Sequence, residues 1–123
     1  MKADVQERVI RHGNHLKTIF GIEGDPISLC RKVRRLEGEA SKLAENYANG
    51  EVTEEIYTLK TNDVLSRLDK ILHFKKKGIP VFMNGDPRGY ALKIEESYVS
   101  SKQLDIERDW GGYGIIAPDL SRN

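Results

Sequence analysis

One seam of apolar residues constrains this chain more than any other feature. Leu29, Val33, Leu36, Ala40, Leu43 and Tyr47 follow one another at intervals of four, three, four, three and four residues. That heptad spacing puts all six on one face of an α-helix, and a face this long needs another helix to cover it. Asp25-Pro26 supplies an N-cap and a proline at the first helical position, and Asn49-Gly50 is a good C-cap pair. Gly38, Ala40, Ala44 and Ala48 are small enough to let a partner helix come close. A chain of 123 residues buries only a modest core, so a second copy is a natural cover. The seam therefore predicts a homo-oligomer, a dimer or higher.

Helices are expected on both sides of it. Val5, Val9, Leu16, Ile19 and Phe20 lie near helical spacing over residues 3–20, with His12 and Gly13 interrupting and Gly21 and Gly24 marking the end. A third helix starts after Thr53 and repeats Ile56, Val64, Leu65, Leu68, Ile71 and Leu72. Lys75, Lys76 and Lys77 read as its last turn, suited to the negative end of the dipole, and Gly78 as its C′ residue. From Ile79 the period changes to two. Val81 and Met83 alternate with Phe82 and Asn84, and Tyr90, Leu92 and Ile94 alternate with Ala91 and Lys93. Between the runs, Asp86-Pro87-Arg88-Gly89 has type I turn chemistry, so residues 79–95 read as a β-hairpin. The expected fold is α+β: N-terminal antiparallel helices, then a C-terminal hairpin and a glycine-rich loop. One domain covers 1–123, with 1–78 the helical oligomerisation part and 79–123 the hairpin and ligand-binding part.

Charge and residue inventory exclude several function classes. Residues 1–78 carry 15 basic and 12 acidic side chains and residues 79–123 carry 5 and 7, for a net charge of +1. That is a poor footprint for grasping a polyanion, so no nucleic acid is expected. Arg31, Lys32, Arg34 and Arg35 crowd the first turns of the second helix; they read as a solvated face or as a contact for a carboxylate or phosphate. The lone Cys30 lies beside the apolar seam, where a buried inert thiol is expected rather than a nucleophile. His12 and His15 share a helical face without a third ligand and read as a surface pair, so neither a metal site nor a cofactor is expected. No serine elbow, Walker loop or dinucleotide fingerprint occurs, and no catalytic residue is assigned. With no membrane-length apolar run and no signal-peptide core, a cytoplasmic location is expected.

Binding chemistry concentrates in two clusters, Phe82–Tyr90 and Arg108–Gly114. On the hairpin's outward face Phe82 offers a stacking platform and Asn84 a donor and an acceptor. Arg88 and Arg108 present planar forks that match phosphate, and the backbone N–H groups of Gly111 and Gly112 suit an anion. Tyr90, Asp109 and Trp110 stand beside them. The competing reading is structural: Phe82, Tyr90, Trp110 and Tyr113 pack a small β core while the arginines pair with Asp86 and Asp109.

The Gly85-Asp86-Pro87-Arg88-Gly89-Tyr90 hairpin and the Asp109-Trp110-Gly111-Gly112-Tyr113-Gly114 segment, behind a helical half, resemble the first-described anti-Thoeris family of phage proteins. These are sponges that sequester cyclic ADP-ribose signals made by bacterial TIR-domain defence enzymes. The resemblance rests on size, element order, the aromatic at Phe82 and the Arg108-Asp109 pair. It implies a symmetric oligomer that binds a cyclic adenine nucleotide without cleaving it, in a pocket shared between protomers. Some such sponges also hold a cyclic oligonucleotide at a second site, for which the Arg31–Arg35 cluster is the first region to test. Two other classes remain open: an interaction protein docking on a host protein through the heptad helix, and a small nucleic-acid-binding accessory protein.

Overall fold

The computed structural model describes residues 3–83 and 92–94. Three helices, α1 (Ala3–Phe20), α2 (Pro26–Ala48) and α3 (Glu54–Leu72), precede an antiparallel pair of short strands, β1 (Val81–Met83) and β2 (Leu92–Ile94). The α+β class and the C-terminal hairpin are as the periodicity predicts.

Local chemistry accounts for the helix limits. Asp25 caps α2 by accepting the Ser28 N–H at 2.9 Å, with Pro26 at the first helical position. At the other end the Gly50 N–H reaches Tyr47 O and the Glu51 N–H reaches Asn46 O, the paired bonds of a Schellman motif. Gly50 takes the left-handed conformation this motif needs, with φ of 76°. Thr53 caps α3 through the Ile56 N–H, and Glu54 and Glu55 favour the positive end of its dipole.

The α2 seam is satisfied inside the chain. Val33 and Ala40 are fully buried and Leu29, Leu36 and Ala44 nearly so, packed with Leu16, Ile19 and Phe20 of α1 and Val64, Leu68 and Leu72 of α3. Both α1 and α3 pack on α2. Tyr47, the last seam residue, is partly exposed and stacks on Tyr57 of α3, with centroids 4.6 Å apart and planes 9° apart. An oligomer, or a host protein docking on this helix, would need another surface unless the bundle opened.

The close helix approach occurs at Gly13, not at the small residues of α2. A Cβ there would lie 2.0 Å from the carbonyl oxygen of Pro26, whereas one at exposed Gly38 would meet nothing. Gly13 and His12 therefore do not interrupt α1: the helix runs unbroken, and the glycine lets the start of α2 cross it.

The lysine run also differs from expectation. Helix α3 stops at Leu72 because His73 turns left-handed, with φ of 57°, and donates its N–H to Asp69 O. Asp69 Oδ1 then takes the Lys75 N–H at 2.9 Å, and buried Phe74 packs obliquely on Phe20. Lys75–Lys77 thus follow α3 instead of forming its last turn. Lys77 serves α1: its ammonium donates to Phe20 O and, at 3.0 Å, to Gly21 O, where that helix exposes unpaired carbonyls.

Candidate ligand-binding site

The hairpin presents two different faces. Pairing runs Val81 with Ile94, Phe82 with Lys93 and Met83 with Leu92. Leu92 and Ile94 are buried, Val81 and Met83 are half-buried against the core, and Phe82 is 45% exposed. Alternation therefore sends Phe82 outward, as expected of a platform residue. Directly across the ladder, the Lys93 ammonium lies over the Phe82 ring, 5.9 Å from its centroid. The result is an outward aromatic with a cation at its face.

Of the residues expected to bind ligand, Phe82 alone falls within the described part of the chain. Asn84, Arg88, Tyr90, Arg108, Asp109, Trp110, Gly111 and Gly112 lie outside the described residues. Lys93 was not among the expected residues, although the turn contains the signal. Counting outward from a turn with Asp86 first and Gly89 last pairs Phe82 with Lys93, the register observed.

A buried polar group anchors this hairpin. Glu37, one residue past Leu36 of the seam, is 3% exposed, and its Oε2 accepts the backbone N–H of Leu92 at 3.0 Å. Arg34 Nη1 stands 3.5 Å from Oε1, a contact too long to outweigh desolvation. Burial pushes the Glu37 carboxyl up to about 8, against the pull of Arg34 and the Leu92 N–H. The carboxyl is accordingly mostly protonated at neutral pH, while an oxygen still accepts from Leu92. Sequence reading missed Glu37, since a glutamate beside an apolar seam resembles a surface residue.

The same interior takes the two histidines. His12 and His15 are 0% and 5% exposed, so the surface-pair expectation is overturned. The signal was present: with Leu16 and Ile19 they fall on one stripe of α1 at intervals of three and four. Burial first, and then the charges of Arg34 and His15, bring the His12 imidazole down to about 3. Burial likewise raises the Cys30 thiol, which matches an inert core cysteine. Arg31, Lys32 and Arg35 are exposed, whereas Arg34 is half-buried on the side of Glu37. A neutral His12, a raised thiol and a mostly protonated Glu37 carboxyl give this interior a polar character. Among the described residues, no three His, Cys, Asp or Glu side chains converge to hold a metal.

One groove competes with the hairpin face. It lies between α2 and α3, encloses about 380 Å³, and has Leu43 and Val64 among its lining residues. Among its lining charges Arg67 is held internally, bonding both Glu39 oxygens at 3.1 and 3.3 Å and Asp63 at 3.1 Å, and Lys42 and Lys60 stand beside them. An arginine already held by two carboxylates has little left for an anion. The hairpin face, with an exposed ring and an adjacent cation, is the better candidate. No helix among the described residues is long and apolar enough to cross a membrane. Compared with protein-family models, curated proteins and solved structures, the chain matches none.

Proposed function

We propose that the protein binds a cyclic ADP-ribose-type signal and sequesters it intact, as a phage anti-defence sponge. The observation that carries this reading is Phe82, an aromatic half out of the core on the outward face of a hairpin, paired with Lys93. A large exposed aromatic on a strand held firmly from behind is suited to stacking a base, and the adjacent ammonium suits a ligand that also carries phosphate. The resemblance at Gly85–Tyr90 and Asp109–Gly114 supplies the ligand class. Sequestration rather than turnover is what the same resemblance implies.

The test is recovery of the ligand. Protein incubated with cyclic ADP-ribose isomers, separated from free nucleotide and heat-denatured, should release the cyclic nucleotide unchanged and in proportion to protein. Linear ADP-ribose formed over many turnovers would make the protein a hydrolase. Failure to retain any isomer would refute the proposal.

A further inference from the structure

We propose that the groove between α2 and α3 is a second binding site, which takes a small organic monoanion: one carboxylate on a compact apolar or aromatic body. Every residue lining it belongs to α2 or α3, so it is separate from the hairpin and independent of the reading of Phe82.

The groove is built by two matched helix faces. Glu39, Leu43 and Asn46 on α2 recur at intervals of four and three, as do Lys60, Val64 and Arg67 on α3, so each set looks into the space between the helices. Contacts between the same two helices frame that space at both ends. At one end Arg67 of α3 bonds both carboxylate oxygens of Glu39 of α2. At the other, one residue past Asn46 and three before Lys60, Tyr47 stacks on Tyr57 at 4.6 Å. The concavity is therefore formed before a ligand arrives, and its volume of about 380 Å³ lies at the lower end of the range for small-molecule sites.

Its charges specify the ligand. Arg67 is committed to Glu39 and Asp63. Lys42 and Lys60 are exposed, and among the described residues neither has a carboxylate within ion-pair distance. They stand on opposite walls, and the Asn46 amide, four residues from Lys42 on the same helix face, adds two more donors. Lys42, Lys60 and Arg67 against Glu39 and Asp63 leave one positive charge over, which a single carboxylate matches. A phosphate monoester would bring a second negative charge towards the exposed Glu39 and Asp63. Half-buried Leu43 and the lysine stems supply apolar surface for the ligand's body.

The experiment follows backbone amide NMR signals at pH 7 while the protein is titrated with benzoate, with its neutral counterpart benzamide, or with phenyl phosphate. Benzoate should shift the signals of Lys42, Leu43, Asn46 and Lys60 saturably, and the other two probes should bind at least about threefold more weakly. Lys42→Met and Lys60→Met keep an apolar stem and remove the charge. Each should weaken benzoate about threefold or more and leave benzamide within about twofold. Lys32→Met removes an exposed cation of α2 outside the groove and should change neither. Benzamide binding as tightly as benzoate would mean that the groove reads the ring alone. Tighter binding of phenyl phosphate would contradict the single-anion match. A loss in Lys32→Met equal to that of the groove lysines would reveal diffuse attraction, and shifts that never saturate would mean no site. Each of these four results overturns the proposal and leaves the hairpin reading untouched.

Discussion

Glu37 in the middle of α2 accepts the backbone N–H of Leu92, 55 residues further along the chain, in the interior of the protein. The bond ties the hairpin to the helix that α1 and α3 enclose. A strand N–H left in a dry interior without an acceptor costs far more than an average hydrogen bond contributes, so one side chain controls how firmly the outward face is held.

Removing that acceptor and preserving it should therefore differ. Glu37→Ala should lower unfolding stability by about 2–3 kcal/mol, from the orphaned Leu92 N–H and the space vacated. Glu37→Gln keeps an acceptor oxygen and should cost about 1 kcal/mol or less. Urea unfolding of both variants measures the difference, and equal losses would argue against the bond as the cause.

The dependence of stability on pH follows from two buried groups. From about pH 3 to 4.5 the unfolded chain binds a proton at His12 that the folded chain refuses, so stability rises with pH. From 4.5 to about 8 the folded chain keeps a proton on Glu37 that the unfolded chain has released, which lowers stability as pH rises. The two effects oppose each other between 4.5 and 6.5, the ordinary values of the two groups, and Glu37 acts alone above that. Stability should be level from 4.5 to 6.5 and fall towards pH 8, by at most about 1.4 kcal/mol per unit. Glu37→Gln should abolish the fall above pH 6.5. An identical fall in that variant would show another group at work.

Gly13→Ala should destabilise the protein even though alanine is the better helix former. The intrinsic gain is about 1 kcal/mol. Against it stands backbone: the new methyl would sit 2.0 Å from Pro26 O and 2.5 Å from its carbonyl carbon, so the α1–α2 crossing must widen. A net loss of about 1–3 kcal/mol is expected in thermal or urea unfolding. Gly38→Ala, with open space around it, should be neutral or stabilising.

Phe82→Ala separates binding from packing. The ring is 45% exposed, so truncation should move the melting temperature by no more than a few degrees. Affinity for cyclic ADP-ribose should fall at least about tenfold, in line with losing a base–aromatic stack. A large drop in melting temperature with no nucleotide binding to lose would return Phe82 to the structural reading.

How much of this could be read from the sequence depends on how local the chemistry is. Asp25-Pro26, Asn49-Gly50 and Thr53 mark helix ends because caps act within a few residues, and the hairpin shows in its period of two. The α2 seam was legible as a buried face, but not what would bury it, because α1, α3 and a second copy of the chain look alike to a pattern of leucines. Gly13, Lys77 and Glu37 were illegible in another sense. Each owes its role to a partner on a different element: Pro26, the end of α1 and the Leu92 N–H. Lysines after a helical pattern look like that helix's own cap until the backbone turns at His73. Of the candidate site, the outward direction of Phe82 was readable from alternation, and Lys93 only by carrying the register across the turn.

The stacked pair of Tyr47 and Tyr57 has an optical consequence. Two phenol rings held nearly parallel at 4.6 Å couple their electronic transitions, which gives a circular-dichroism signal that isolated tyrosines lack. Because one ring belongs to α2 and the other to α3, that signal exists only while the two helices are joined. The single tryptophan, Trp110, falls in residues 79–123, and an indole can be excited to the red of the tyrosines. The protein thus carries two native chromophores, one for its helical half and one for its C-terminal segment, and needs no label to show whether the two melt together.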